Sequence, residues 1–132
     1  MNTLGPLGRS AAEDQLLELA AKTARKYWEV AGGWNQVQVA EYRLAMTYLA
    51  LARPKDAAEH AALCRQICAD NEAGPGDLFF AHEVEARVRH ALGEAAAAGA
   101  ARKLAAEALA ELEGGLADYA AKTLGTLDEL LG

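Results

Sequence analysis

Three residues of one predicted helix, His60, Cys64 and Cys68, have the side-chain types that bind zinc. They recur every four residues, which places all three on one helical face. Two neighbours at this spacing are close enough to share an ion, but the outer two lie about 12 Å apart along the helix axis. Because free cysteine packs well as a small apolar residue, we expect these residues in the core, with no bound metal or cofactor.

Other signs of catalysis are weak. His82 and Glu83 begin the His-Glu-x-x-His pattern of helical zinc proteases, but Ala86 stands where the second histidine is required. Ser10, the only serine, stands at a predicted helix cap. No glycine-rich loop follows a strand pattern, so no phosphate-binding loop is expected. The sequence therefore predicts a protein that is not an enzyme.

The composition favours a single all-α domain, 1–132, in which helices pack around alanine. The 132 residues are 52% hydrophobic but only 6% aromatic, and an alanine- and leucine-rich core suits closely packed helices better than a sheet. The net charge of −6 argues against a nucleic-acid partner, which normally meets a basic patch. The chain has neither a basic tract for anionic lipid nor a long apolar segment, so no membrane partner is expected.

The cysteines and the start of the chain bear on its location. Two cysteines that are four residues apart in one helix rarely meet disulfide geometry. Residues 1–9 contain two glycines and a proline and are not followed by the apolar region of a secretory signal, so they are interpreted as a flexible lead. A reducing cytoplasmic location is the simplest expectation.

The segment 37–68 predicts an antiparallel helical hairpin. Apolar residues recur at three- and four-residue steps in its first half, as in Ala40, Leu44 and Tyr48, which is the spacing of one helical face. Pro54 ends the first helix and suits the first turn of the second. The second helix repeats the pattern with small residues, and so short a connection makes the two helices antiparallel neighbours.

This hairpin resembles a tetratricopeptide repeat. The residues that match the repeat pattern are Leu44, Ala45, Tyr48, Ala57, Ala61 and Cys64, whereas Glu41 occupies the position of the first aromatic. A weaker second copy follows, with matches at His82, Ala86, Leu92, Gly93, Ala98 and Ala105. Aligning Leu51 with Leu92 gives a period of 41 residues, similar to the longer repeats of kinesin-light-chain-like proteins. The resemblance implies stacked antiparallel helical hairpins in a right-handed superhelix fragment.

The resemblance also implies a binding site. In that family the first helix of each hairpin lines a concave groove that holds peptide segments. The corresponding positions here are Tyr42, Met46 and Leu49 from the first repeat and Glu83, Arg87 and His90 from the second. The alternative is that Met46 and Leu49 are ordinary core residues and that the other repeat supplies a solvated face.

About six helices are expected in all. Their segments are a first helix 10–31, repeat 1 over 35–71, repeat 2 over 77–113 and a C-terminal capping helix 116–131. Ser10 with Glu13, and Asn35 with Gln38, form predicted capping boxes, and Asp77 is a predicted cap. Gly32-Gly33 is expected to end the first helix in the left-handed conformation. The stripe predicted to be buried on that helix consists of Leu16, Ala20, Thr23, Tyr27 and Val30.

Glu85 and Arg89 allow two interpretations. Either they form an ion pair one helical turn apart, or the helix is rotated so that Ala81, Val84 and Val88 face the core instead. Because burying an ion pair is costly, the sequence favours rotation.

The sequence favours a module that binds a protein or peptide partner without catalysis. The alternative is a homodimer that buries Trp28, Trp34 or an end helix. A metal protein or enzyme that uses His60, Cys64 or the face from His82 to His90 is the third hypothesis.

Overall fold

The computed structural model describes residues 8–132, and it confirms an all-α fold with six helices over that range. The helices are α1 (Ala11–Ala31), α2 (Trp34–Ala50), α3 (Pro54–Asp70), α4 (Pro75–Ala91), α5 (Ala95–Leu109) and α6 (Gly114–Leu131). Most of the predicted flexible lead, residues 1–7, lies outside the described residues. Arg9 at its end donates to the Ala50 carbonyl (2.6 Å) and to Asp14 (2.7 Å). No helix in the range 8–132 combines the length and the apolar character needed to cross a membrane.

Each helix packs against the next one along the chain, and α4 also packs against α2 and α6. The short connections make sequential helices antiparallel. The even-numbered helices α2, α4 and α6 therefore form one layer, with α3 and α5 behind it. This arrangement is a helical-repeat-like architecture, in which each hairpin covers the apolar face of its neighbour.

Two larger groups of buried side chains, and a smaller one of Cys64, Cys68 and Ala81, fill the interior. Around α2, α3 and α4 lie Leu44, Ala45, Tyr48, Ala57, Ala61, Val84 and Val88, as the hairpin pattern predicts. Around α4, α5 and α6 lie Phe79, Ala86, Ala101, Ala105, Ala108, Ala120, Leu124 and Leu127. The buried residues of α5 are all alanines, and such small side chains let two backbones approach closely.

The prediction for the inner face of α1 is wrong. Against the rest of the described chain, none of its residues is buried, and Leu16, Tyr27 and Val30 of the predicted stripe are 66%, 60% and 83% exposed. The opposite, polar face packs on α2 instead. Glu18 accepts from Tyr48 Oη (2.7 Å) and Arg53 (2.9 Å), and Arg25 Nε donates to the buried Glu41 (2.5 Å).

Several helix ends differ from the prediction. The Ser10–Glu13 capping box is confirmed, but α2 begins at Trp34, with Gln36 accepting from the Gly33 amide (2.9 Å), so the Asn35–Gln38 box is wrong. α4 begins at Pro75, because proline suits the first helical position, and Asp77 lies inside its first turn.

Gly32 differs from the prediction. It closes α1 with φ −112°, outside the left-handed region, and a Cβ there would lie 2.9 Å from the Trp28 ring. The need for glycine is therefore steric. Gly99 is exposed with open space where its Cβ would be, so it only weakens α5.

The ion pair that the sequence disfavoured is present. Arg89 Nε donates to Glu85 Oε1 (2.7 Å), although Glu85 is only 8% exposed. Ala81, Val84 and Val88 are fully buried as well, so the two interpretations are not exclusive. Arg65 from α3 lies 3.3 Å from the same carboxylate, which gives the buried charge a second partner.

The turns that close α2 and α4 have the same geometry at positions 41 residues apart in the sequence. Ala52 (φ 57°) and Gly93 (φ 79°) both adopt the left-handed conformation. The amides that follow bond back in the same way, Arg53 N to Tyr48 O (2.8 Å) and Glu94 N to Arg89 O (2.9 Å). The two turns thus share one backbone geometry, and only the first carries a Cβ in a conformation that favours glycine.

Replacing Ala52 by glycine and replacing Gly93 by alanine should change the free energy of unfolding in opposite directions. Ala52→Gly relieves the left-handed strain and should raise the free energy of unfolding by about 1 kcal/mol, and Gly93→Ala should lower it by about as much. Both positions are exposed, and a Cβ at Gly93 would meet open space, so sterics do not interfere. Urea unfolding measures both changes; shifts of the same sign would contradict the assignment.

Candidate functional site

A concave cavity of about 740 Å³ opens between α2, α4 and α6. This volume lies within the range of roughly 300–1,000 Å³ that is usual for ligand pockets. Its lining comes from three helices and the turn before α4: Gln38, Val39, Tyr42, Arg43, Met46, Thr47, Gly74, Gly76, Asp77, Phe80, Leu116 and Tyr119. It lies in the layer where the sequence predicted a groove.

The α2 side of the cavity follows from helical spacing. Val39, Arg43 and Met46 recur at steps of four and three residues, so they share one face of α2. The core residues Leu44 and Tyr48 occupy a different face of the same helix. The side of α2 that lines the cavity is therefore distinct from the side that faces the core.

Aromatic rings connect the three helices across the cavity. Tyr42 of α2 meets Phe80 of α4 edge-on, with ring centroids 5.7 Å apart. Phe80 in turn lies 6.0 Å from Tyr119 of α6, which is 62% exposed. Such contacts hold rings in fixed relative positions, so the cavity presents a preformed aromatic wall.

A buried ion pair lies directly beneath this wall. Tyr42 Oη donates to Glu83 Oε1 (3.2 Å), and Arg87 Nε lies 3.2 Å from Glu83 Oε2 without the alignment of a hydrogen bond. Glu83 is 1% exposed. Burial raises the pKa of Glu83, and Arg87 and Tyr42 oppose the shift only in part. Burial and the charge of Glu83 likewise raise the pKa of Tyr42.

Gln38 lines the cavity and is fully buried. Its amide nitrogen donates to Cys64 Sγ (3.2 Å), while Oε1 has no hydrogen-bond partner among the described residues. A buried amide oxygen without a donor is unfavourable. This oxygen is itself buried, so it is not available to a molecule in the cavity.

The rim of the cavity is polar. Asn35 Nδ2 donates to Asp77 Oδ2 (2.9 Å), which ties the start of α2 to the start of α4. Burial raises the pKa of Asp77, and this hydrogen bond lowers it by less. Arg43 supplies an exposed cationic group on the α2 side.

The six predicted groove residues separate into three pairs. Tyr42 and Met46 line the cavity. Glu83 and Arg87 do not line it, but they contact it through Tyr42. Leu49 packs against the core, and His90 is exposed near the end of α4 away from the cavity.

Sequence reasoning missed the contribution of α6. The sequence predicts α6 as a capping helix, yet Leu116 and Tyr119 are 46% and 62% exposed at the cavity. Ala120 and Leu127 of the same helix are fully buried. The signal in the sequence is the pair of large apolar residues three apart at the start of α6.

Of the three candidate metal ligands, Cys64 and Cys68 lie in the core, as predicted, and His60 is half-buried. Cys64 and Cys68 are buried free thiols, and the hydrogen bond with Cys68, together with burial, raises the pKa of Cys64. His60 Nδ1 lies 2.6 Å from Glu41 Oε2. Within residues 8–132, no three His, Cys, Asp or Glu side chains are grouped to hold a metal ion.

Comparison with protein-family models, curated proteins and solved structures gives no significant match to this chain. The site is therefore interpreted from its own geometry.

Two Glu→Gln variants should respond to pH in opposite ways. The folded state holds the Glu83 proton more tightly than the unfolded chain, because burial raises its pKa. The stability that Glu83 contributes is therefore largest at low pH and is lost as pH rises. Wild type should gain stability relative to Glu83→Gln when the pH is lowered from about 7 to about 4.

Glu18→Gln is the matched control. The hydrogen bonds from Tyr48, Lys22 and Arg53 lower the pKa of Glu18 to about 2, so its contribution is present at neutral pH and is lost as the pH falls. Wild type should then lose stability relative to this variant in acid. Urea unfolding at a series of pH values tests both trends, and parallel trends would contradict the burial of Glu83.

Proposed function

We propose that this protein is a non-enzymatic interaction module that binds a peptide or a segment of a partner protein in the cavity between α2, α4 and α6. The observation that carries the proposal is the exposed apolar surface inside one concavity, formed by Val39, Leu116 and Tyr119. Exposed apolar patches of this kind mark interaction sites more often than single exposed residues do. The resemblance to tetratricopeptide repeats supports the same assignment, and we place the protein in the cytoplasm.

The chemistry of the cavity favours binding over catalysis. The two carboxylates beside it already have partners: Glu83 meets Arg87 and Tyr42, and Asp77 meets Asn35. The exposed surfaces are those of aromatic, leucine and methionine side chains, which act as anchor points in protein recognition.

The cavity suits a peptide with apolar side chains on one face. An amphipathic helix that places anchors three or four residues apart is the usual occupant of an apolar groove. Arg43 and Asp77 on the rim would fix its orientation.

A matched pair of leucines tests the proposal. Leu116 in the cavity and Leu104 on α5 are both 46% exposed, so truncation to alanine removes the same exposed group from two surfaces. Peptides selected from a random display library on the wild-type chain serve as the probe. Leu116→Ala should weaken their binding about tenfold, the equivalent of one leucine that becomes partly buried.

Leu104→Ala should leave the dissociation constants unchanged in the same titration. Equal losses in the two variants, or selected peptides that are insensitive to both, would place binding elsewhere and contradict the proposal.

A further inference from the structure

The outward face of α1 carries a row of large apolar side chains. Leu16, Leu19, Tyr27 and Val30 are 60–83% exposed against the described chain. Leu16, Leu19 and Tyr27 border a shallow groove that runs along the helix past Ala20, Thr23 and Ala24. This face lies opposite Glu18 and Arg25, which hold α1 to α2. It is therefore separate from the cavity between α2, α4 and α6.

The spacing of this row is that of a coiled-coil seam. Leu16, Ala20, Thr23, Tyr27 and Val30 follow one another at steps of four, three, four and three residues. That alternation averages 3.5 residues and keeps one stripe facing a second helix along its whole length. Within residues 8–132, α1 packs only against α2, so the second helix is missing from the described chain. We call this stripe the α1 seam.

The α1 seam is complementary to itself when the second helix is antiparallel. A two-fold axis at Thr23 sets Leu16 opposite Val30 of the second copy and brings Ala20 within one residue of the level of its Tyr27. Large residues then meet smaller ones, and each contact occurs twice, as an isologous interface requires.

The charge of α1 also makes this helix a better surface for contact between two copies than the rest of the chain, which is more acidic. The chain has a net charge of −6, but α1 has four acidic and three basic residues. The positions flanking the α1 seam are apolar except for Lys26, which lies beside Leu19 of the second copy in the antiparallel arrangement. Two copies therefore approach through α1 with little like-charge repulsion.

The available area suits a reversible dimer. Taking about 60–120 Å² for a buried aliphatic side chain and about 150–250 Å² for an aromatic one, the exposed parts of α1 amount to roughly 1,000 Å² over two copies. This is close to the lower limit of about 1,200 Å² for stable interfaces.

We propose that the α1 seam binds the α1 seam of a second copy of this chain in an antiparallel pair centred on Thr23. The pair joins two chains back to back and leaves both cavities open, so it is independent of the peptide binding proposed above. It gives two sites in one particle, which raises the avidity for a partner that carries two binding segments.

Sedimentation equilibrium of the full chain, from micromolar to several hundred micromolar, tests the pairing. Wild type should show a concentration-dependent dimer. Thr23→Glu and Thr23→Lys each bring like charges together at the two-fold axis and should raise the dissociation constant at least about tenfold, whereas an equal mixture of the two should dimerise again. Thr126→Glu, the same change on the exposed surface of α6, should have no effect.

Cysteine cross-linking tests the direction and remains informative if a charged variant folds poorly. Leu16→Cys and Val30→Cys chains should form a disulfide with each other when mixed and oxidised, and neither should link to itself. The native cysteines are buried and do not compete.

Three results would overturn the proposal. The wild type could stay monomeric at every concentration, the mixed Glu and Lys variants could fail to associate, or Leu16→Cys could form a disulfide with itself. In the first case the α1 seam serves a different partner.

Discussion

The orientation of the first three helices depends on the buried carboxylate of Glu41. Its side chain is 3% exposed and meets Arg25 from α1 at 2.5 Å and His60 from α3 at 2.6 Å. A carboxylate at this depth is tolerated only with such partners. Because Arg25 must face α2 to reach this carboxylate, the polar side of α1 faces the interior.

Other contacts between α1 and the hairpin of α2 and α3 extend the same network. Tyr48 donates to Glu18 of α1, stacks on the His60 ring with centroids 5.4 Å apart, and lies under the Arg53 guanidinium at 4.7 Å. The layer between α1 and the first hairpin is therefore polar and aromatic. The apolar stripe of α1 is left outside as a consequence, and so is available to a second helix.

Sequence patterns predicted the helices well because those depend on local signals. The number of helices, the Ser10 cap and the buried faces of α2 and α3 all follow from periodicity and end residues. Periodicity does not tell which side of an amphipathic helix meets its neighbour. For α1 the usual assumption, that the apolar side faces the core, is wrong. Glu41 at an otherwise aromatic position was the one sign that this contact is polar.

The cavity could be predicted only in part for a related reason. The resemblance to the repeat family points to Tyr42 and Met46 as groove residues, but it does not point to Phe80, Leu116 or Tyr119. Their grouping depends on how α2, α4 and α6 sit side by side, although they are separated by whole helices in the sequence. Gln38, predicted as the capping-box partner of Asn35, lies buried inside α2, because the observed N-cap is Gly33, two residues earlier.

The buried pair Glu83–Arg87 beneath the cavity is compatible with the proposed binding site. A well-packed apolar replacement of the Glu83–Arg87 pair would be neutral or stabilising by the usual energetics of such pairs. Their presence under the aromatic wall indicates that this region is not arranged for stability alone, which agrees with the proposed site.

A double-mutant cycle between Arg25 and Glu41 tests the central claim most directly, that a buried polar contact orients α1. Urea unfolding of Arg25→Met, Glu41→Leu and the double variant gives the coupling free energy. Each single change should destabilise the fold by about 3 kcal/mol, and the double variant should lose clearly less than the two together. Strictly additive losses would show that the contact does not hold α1 in place.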